Sequence, residues 1–323
     1  RLGDIGERNG RNSSFDFSSA NPNPPADGTL QGYLVPSNYT GPIPAGVTRT
    51  NNNLGIRGDG QNTWNPRVGF AWQLPGGDRV VLRGGYGIYH ERLAGQPFLQ
   101  LITNPPFAQL RQYLGATNAG ATFANPFPAT TPALPSYDGA AYSPTTNLST
   151  WTFAQNFVPP TVQRYSLNVQ TEITSDMMLE LGYVGSRGTH LIQTRLLNQA
   201  LSASPSNPIR GVTEDLRSNI ALRVPYEGWS SGTTFQIESE GSSWYNAFQA
   251  TLTKRFTHGL QFLASYTWSK SLSDAYGATT GVNGGMVTGN QDDPSARYGA
   301  DPFIRPHRFV ISYIYELPFF HNS

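Results

Sequence analysis

The run from Trp244 to Lys270, WYNAFQATLTKRF followed by THG and LQFLASYTWSK, constrains the fold of this chain more than any other stretch. Phe248, Ala250, Leu252 and Phe256 fall on one parity, with Ala247, Gln249, Thr251, Thr253 and Arg255 between them. After Thr257-His258-Gly259, Leu260, Phe262, Ala264, Tyr266 and Trp268 alternate with Gln261, Leu263, Ser265, Thr267 and Ser269. Period two puts apolar side chains on one face of a pleated strand and polar ones on the other. Two such runs joined by a short Gly-containing connection predict a β-hairpin. Leu263 alone departs from the pattern in the second strand.

The pattern recurs. Val68, Phe70, Trp72 and Leu74 alternate with Arg67, Gly69, Ala71 and Gln73; Pro75-Gly76-Gly77-Asp78 supplies a turn, and alternation resumes from Val80 to Tyr89. Tyr165, Leu167, Val169 and Ile173 oppose Arg164, Ser166, Asn168, Gln170 and Glu172. After Thr174-Ser175-Asp176 the alternation runs from Met177 towards His190 and Ile192. A last strand carries Phe309, Ile311, Tyr313, Tyr315 and Leu317. The hairpins 67–91, 161–193 and 244–270 and the strand 306–317 make about seven strands.

Their connections are lopsided. All three tight turns lie on one side, while the polar stretches from about 93 to 160, 196 to 243 and 271 to 306 lie on the other. A soluble sandwich spaces its turns evenly, whereas an outer-membrane barrel has short periplasmic turns and long external loops. Strands of this length also match a tilted bilayer crossing of ~9–11 residues. The expected fold class is therefore all-β: an antiparallel up-and-down transmembrane β-barrel, seen in part. Residues 1–63 read as an extracellular-type loop region with a short strand at Leu30 to Val35, and 64–323 as partial barrel. Trp72, Trp244, Tyr266, Trp268, Tyr313 and Tyr315 are candidates for interfacial girdles. The competing reading makes every alternating face the core of a soluble all-β domain.

Composition narrows the function. The 22 Lys+Arg against 21 Asp+Glu give a net charge of +1, so no global field points to nucleic acid. Only 13% of residues are charged, about half the usual ~25%. Cys 0 excludes disulfides, thiolate metal sites and cysteine nucleophiles. Gly84-Gly85-Tyr86-Gly87 lies within a strand pattern with no helix after it, so a phosphate-cradling loop is not expected. Strand glycines mark bends or close approach instead. Val184-Gly185-Ser186-Arg187-Gly188 lacks nucleophile-elbow spacing, and the five histidines show no metal-ligand spacing. No enzymatic activity, metal or cofactor is expected.

RVGFAW with VVLRGGYGIYHER, VQRYSLNVQTEI with MLELGYVGSRGTHL, NAFQATLTKRFTHGLQFLASYTWSKSLSDA and HRFVISYIYELPFF resemble the barrel of Oar-like TonB-dependent outer-membrane receptors. The likeness covers about residues 60–323. It implies a location in the outer membrane of a Gram-negative-type bacterium, contact with its lipid, and import of a nutrient by TonB energy coupling. No plug and no TonB-engaging segment is recognisable, so the resemblance implies an internal piece whose TonB contact runs through a plug outside this chain. The imported ligand would be an oligosaccharide, a peptide or a metal chelate.

On this reading Arg164, Asn168, Gln170, Glu172, Gln249, Thr251, Arg255, Ser265 and Thr267 are lumen-facing candidates. Phe98, Tyr113, Phe123, Trp151, Tyr226 and Trp229 are external-loop candidates for substrate contact, through stacking on sugars or packing on peptides. Two other classes remain open: a passive porin or adhesive outer-membrane protein, and a secreted soluble all-β carbohydrate-binding protein.

Overall fold

The computed structural model describes residues 10–19, 30–41, 43, 45–52, 54–55, 63–75, 79–91, 98–107, 122–125, 148–227, 229–275, 285–287, 289–317 and 319. Seven long strands dominate: β4 (Arg67–Gln73), β5 (Val80–His90), β7 (Thr161–Thr174), β8 (Met177–Leu196), β9 (Trp229–Thr257), β10 (Leu260–Ser273) and β13 (His307–Tyr315). They lie side by side in that order, each antiparallel to the next, as an up-and-down meander. The antiparallel all-β architecture is as expected.

Register follows from the turns. Thr257 pairs with Leu260, so the third hairpin turns on two residues, His258 and Gly259, rather than three. Both have positive φ, 52° and 76°, the signature of a type I′ turn whose twist matches that of the flanking strands. In the second hairpin Thr174 pairs with Met177 after a register shift. Asp176 in that turn accepts from the Lys254 amine and from the hydroxyls of Thr257 and Thr174. The Lys254 amine beside it, helped by those hydroxyls, holds its carboxyl below the usual carboxylate range. Two neighbouring turns are thereby stitched together at the short-turn end.

The pairing sorts side chains as the alternation predicts. One row across the sheet is Phe70, Gly84, Leu167, Tyr183, Phe248, Trp268 and His307; the next is Trp72, Leu82, Val169, Leu181, Ala250, Tyr266 and Phe309. This apolar face is uncovered: Phe70 is 52% exposed, Leu167 48%, Trp268 58% and Tyr313 67%. A soluble domain would bury it, since such a contiguous apolar surface in water invites association. The soluble-core reading is therefore set aside.

Glycines in the strands make room for rings. A Cβ on Gly84 would meet the Phe70 ring at 2.5 Å, and one on Gly185 the Tyr165 ring at 2.3 Å. Aromatics lie across these glycines and cover the bare backbone.

Two differences from the sequence reading stand out at the long-connection end. The polar stretch 196–243 is not all loop: β9 starts at Trp229 and is 29 residues long, about three times a bilayer crossing. Its first half pairs with the far end of β8 and, in parallel, with β6 (Leu148–Phe153). Residues 10–50 also hold a small sheet of β1 (Ser14–Phe15), β2 (Tyr33–Pro36) and β3 (Thr48–Thr50). Shorter pieces, β11 (Gly285–Met286) and β12 (Gly299–Ala300), pair with β8 and β10.

The buried apolar clusters sit here, not on the alternating face. One contains Phe15, Leu30, Tyr33, Val35, Val47 and Trp229; the other Leu101, Phe153, Phe157 and Ile237. Polar ties join the pieces. Ser14 shares a hydrogen bond with Thr152 at 2.8 Å, and the Asn104 amide donates to the carbonyls of Ser13 and Trp151. The long connections thus fold into a cap with its own core.

Candidate functional site

The face opposite the apolar one gathers the polar candidates. Asn168, Gln249 and Thr267 share a row with Arg83, Gly182 and Arg308. Gln170, Thr251 and Ser265 share the next row with Gln73 and Glu180, and the Thr251 and Ser265 hydroxyls are 3.3 Å apart. Glu172 pairs with Met178, which pairs in turn with Thr253, on the same face one row nearer the short turns. Arg164 lies towards the cap, and Arg255 near the short turns, where its amide donates to the Asp176 carbonyl at 2.8 Å. All nine candidates therefore lie on one side of the sheet.

Two hollows open on it. Near the short turns a cleft of about 310 Å³ is lined by Arg79, Arg83, Gln170, Glu172, Met178 and Arg255. Nearer the cap, a hollow of about 360 Å³ includes Arg67, Tyr89 and Arg164. There the Tyr89 ring lies against Gly87, with the Arg67 guanidinium 4.6 Å and that of Arg164 5.6 Å from its centre. Gly87 pairs with both arginines, so the missing Cβ lets one ring receive two cations.

The external-loop candidates have separate fates. Trp229, at 2% exposure, packs against Phe15 and Tyr33 with ring centres 4.9 and 5.1 Å apart; it is core, not a substrate contact. A side chain chosen as a loop aromatic is buried because β9 begins at Trp229 and carries it beneath the small sheet. Tyr226 packs on Phe15 and Phe17, and Trp151 on Phe235 at 4.4 Å. Phe98 packs against the second cluster, and Phe123 is fully exposed. Tyr113 lies outside the described residues. These aromatics are not brought together into one site.

Arg79, Arg83 and Tyr89 were missed as site residues although alternation puts Arg83 and Tyr89 on the polar face. What was lacking was register, which decides what meets across several strands.

The sequence matches the family described as Outer membrane beta barrel domain over residues 3–323. The chain belongs to that family. Its place is accordingly the bacterial outer membrane, and its apolar face is the lipid face. Trp244 lies at the external end of the lipid face, where its indole donates to the Tyr165 hydroxyl at 3.3 Å, and Tyr313 and Tyr315 lie towards the periplasmic turns. Trp72 and Tyr266 share a row with Leu181 and Ala250 instead. No curated protein matches the chain. Among solved structures, the outer membrane transporter YddB from Escherichia coli aligns with a TM-score of 0.38 and 10% identity. The alignment covers 68% of this chain and 21% of that one, so this barrel spans about a fifth of that transporter's length.

Proposed function

We propose that this barrel forms part of a TonB-dependent outer-membrane receptor that binds a nutrient outside the cell and imports it by TonB energy coupling. The observation that carries this reading is a polar wall continuous across seven strands beneath a folded external cap. The four sequence blocks that resemble Oar-like receptors support it, and the same residues form the strands of that wall. β4 and β13 each have one neighbour among the described strands, so more strands are needed to close a barrel in lipid. The plug and its TonB contact would belong to the rest of the longer protein. The wall offers solvation and positioning rather than bond chemistry, and we assign it no catalytic role.

The test uses the full receptor in its own cells and a panel of labelled oligosaccharides, peptides and metal chelates. Loss of the receptor and loss of TonB should abolish uptake of the same solute. Uptake that survives without TonB would refute coupling and leave a passive pore; surface binding with no uptake would leave an adhesin.

A further inference from the structure

The chain as a whole is almost neutral, at +1, but its charges are not evenly spread. On the lumen wall the described strands carry Arg67, Arg83, Arg164, Arg255 and Arg308, and Arg79 joins them from the first turn. Only Glu172 and Glu180 oppose them. Counting strand residues alone, the five arginines exceed the two glutamates by three positive charges on this surface.

Several cations elsewhere are ion-paired. Arg195 lies 3.1 Å from Glu238, Arg210 3.7 Å from Glu227 and Arg223 2.9 Å from Asp215, and Lys254 is bound to Asp176. Among the described residues the guanidiniums of Arg79, Arg83 and Arg255 have no ion pair and no hydrogen bond. Arg83 and Arg255 stand on strands three spacings apart and six residues out of row, roughly 14 Å across the sheet and ~20 Å along it, yet both line the cleft of about 310 Å³. Arg83 from β5, Arg255 from β9 and Arg79 from the first turn line it around the shorter residues of β7 and β8. Asp176 on its rim is already held by Lys254, so Glu172 is the one acid left to offset three cations. A cleft of this size fits a small solute rather than a protein surface.

We propose that this cleft is a binding site for a small multivalent oxyanion, a solute bearing two or more carboxylate or phosphate groups. Guanidinium forks match the paired oxygens of either group, and cations spread along one cleft reward a ligand with more than one. The site sits near the periplasmic end of the wall, so it receives the solute late in passage. The inference rests on the reading of this face as the lumen wall, and it gives that reading an anionic substrate class.

The test is calorimetric, on the purified full receptor in detergent, with tricarballylate, inorganic pyrophosphate and uncharged maltotriose as probes. The two anions should bind and maltotriose should not, and added salt should weaken binding. Their relative affinity tells carboxylate from phosphate. Replacing all three arginines (R79Q, R83Q and R255Q together) should weaken anion binding by about tenfold or more, since several charged hydrogen bonds are lost. Lys270→Gln, a cation on the opposite face, should leave binding unchanged. A heat-dependent gel shift shows that each variant is folded; if the triple variant is not, Arg83→Gln and Arg255→Gln alone should each weaken binding measurably. Equal anion binding by wild type and variants, or none by folded wild type, overturns the proposal. Calorimetry needs no TonB, so TonB-independent uptake would remove the import reading while leaving this site intact.

Discussion

A single side chain on the lipid face tests the assignment of faces. Leu167 is the seventh of the fourteen residues of β7, and its row-mates are Gly84 and Tyr183. Leu167→Arg should destabilise the inserted barrel by roughly 2–4 kcal/mol, the cost of a cation near the bilayer midplane. Ser265→Arg, on the wall and paired with Thr251 and Val310, should change it by less than about 0.5 kcal/mol. Urea titration of the folded receptor in vesicles compares them, and equal losses would reverse the faces. Glycine packing is testable at the same scale. A methyl on Gly185 would sit 2.3 Å from the Tyr165 ring and 2.6 Å from the Asn246 side-chain oxygen. Gly185→Ala should therefore cost about 1–3 kcal/mol through overpacking, and Tyr165→Ala in the same chain should recover part of it. Strictly additive losses would show that ring and glycine do not meet. Face assignment was legible from sequence because parity is a property of one strand alone. Which ring crosses which glycine was not, because that depends on cross-strand register.

Turns and strand extensions set the element scale. His258 holds φ 52° in the type I′ turn, a conformation open to Gly and Asn but strained for branched residues. His258→Val should cost about 1–2 kcal/mol, while His258→Asn should match or exceed wild type in the same urea titration. If valine is tolerated as well as asparagine, the turn is of another type. The external half of β9 raises a different question, because it crosses the cap with Thr234, Ile237, Glu238 and Ser239 all buried. No alternation marks it, since cap elements cover both of its faces and its partners are largely polar; its Ser, Thr and Gly content resembles loop. Glu238 Oε1 accepts from the Gln193 amide at 2.8 Å, and Arg195 lies 3.1 Å from its other oxygen. Burial nevertheless dominates, with Glu240 adding to it against Arg195, Gln193 and Arg297, and pushes the carboxyl above its ordinary value. A raised pKa means that the folded cap binds the proton more tightly than the open one. Its contribution is complete below the ordinary carboxylate value and fades as pH rises through the folded value. Hydrogen exchange at the β8–β9 amides should therefore quicken from acidic towards neutral pH beyond the intrinsic chemical trend, and Glu238→Gln should flatten that excess. A wild-type excess that persists in the variant would place the titration elsewhere.

At the scale of the whole molecule the governing fact is that the described strands form an open sheet in a setting that forbids edges. Among them β4 has one unpaired side along Arg67–Gln73 and β13 another along His307–Tyr315. In lipid every unpaired backbone group at those edges costs several kcal/mol, and several such groups outweigh the ~5–15 kcal/mol by which a domain is usually stable. The cap does not relieve this, because its clusters lie beyond the crossing segments and pair with β8 and β9 in the middle of the sheet. On the proposed reading, closure comes from further strands joined to β4 and β13. The 323-residue chain refolded alone into vesicles should accordingly give neither a heat-modifiable compact band nor protease-resistant crossing strands, whereas a longer polypeptide that adds strands at both edges should give both. A compact, protease-resistant monomer from the 323 residues alone would mean that β4 and β13 pair with each other, and the proposed larger barrel would fall. The same products at twice the mass would assign closure to a second copy of the chain. Cross-linking cysteines placed at Gly69 and Ser312, one on each edge strand, separates these results: only direct closure joins them within one chain.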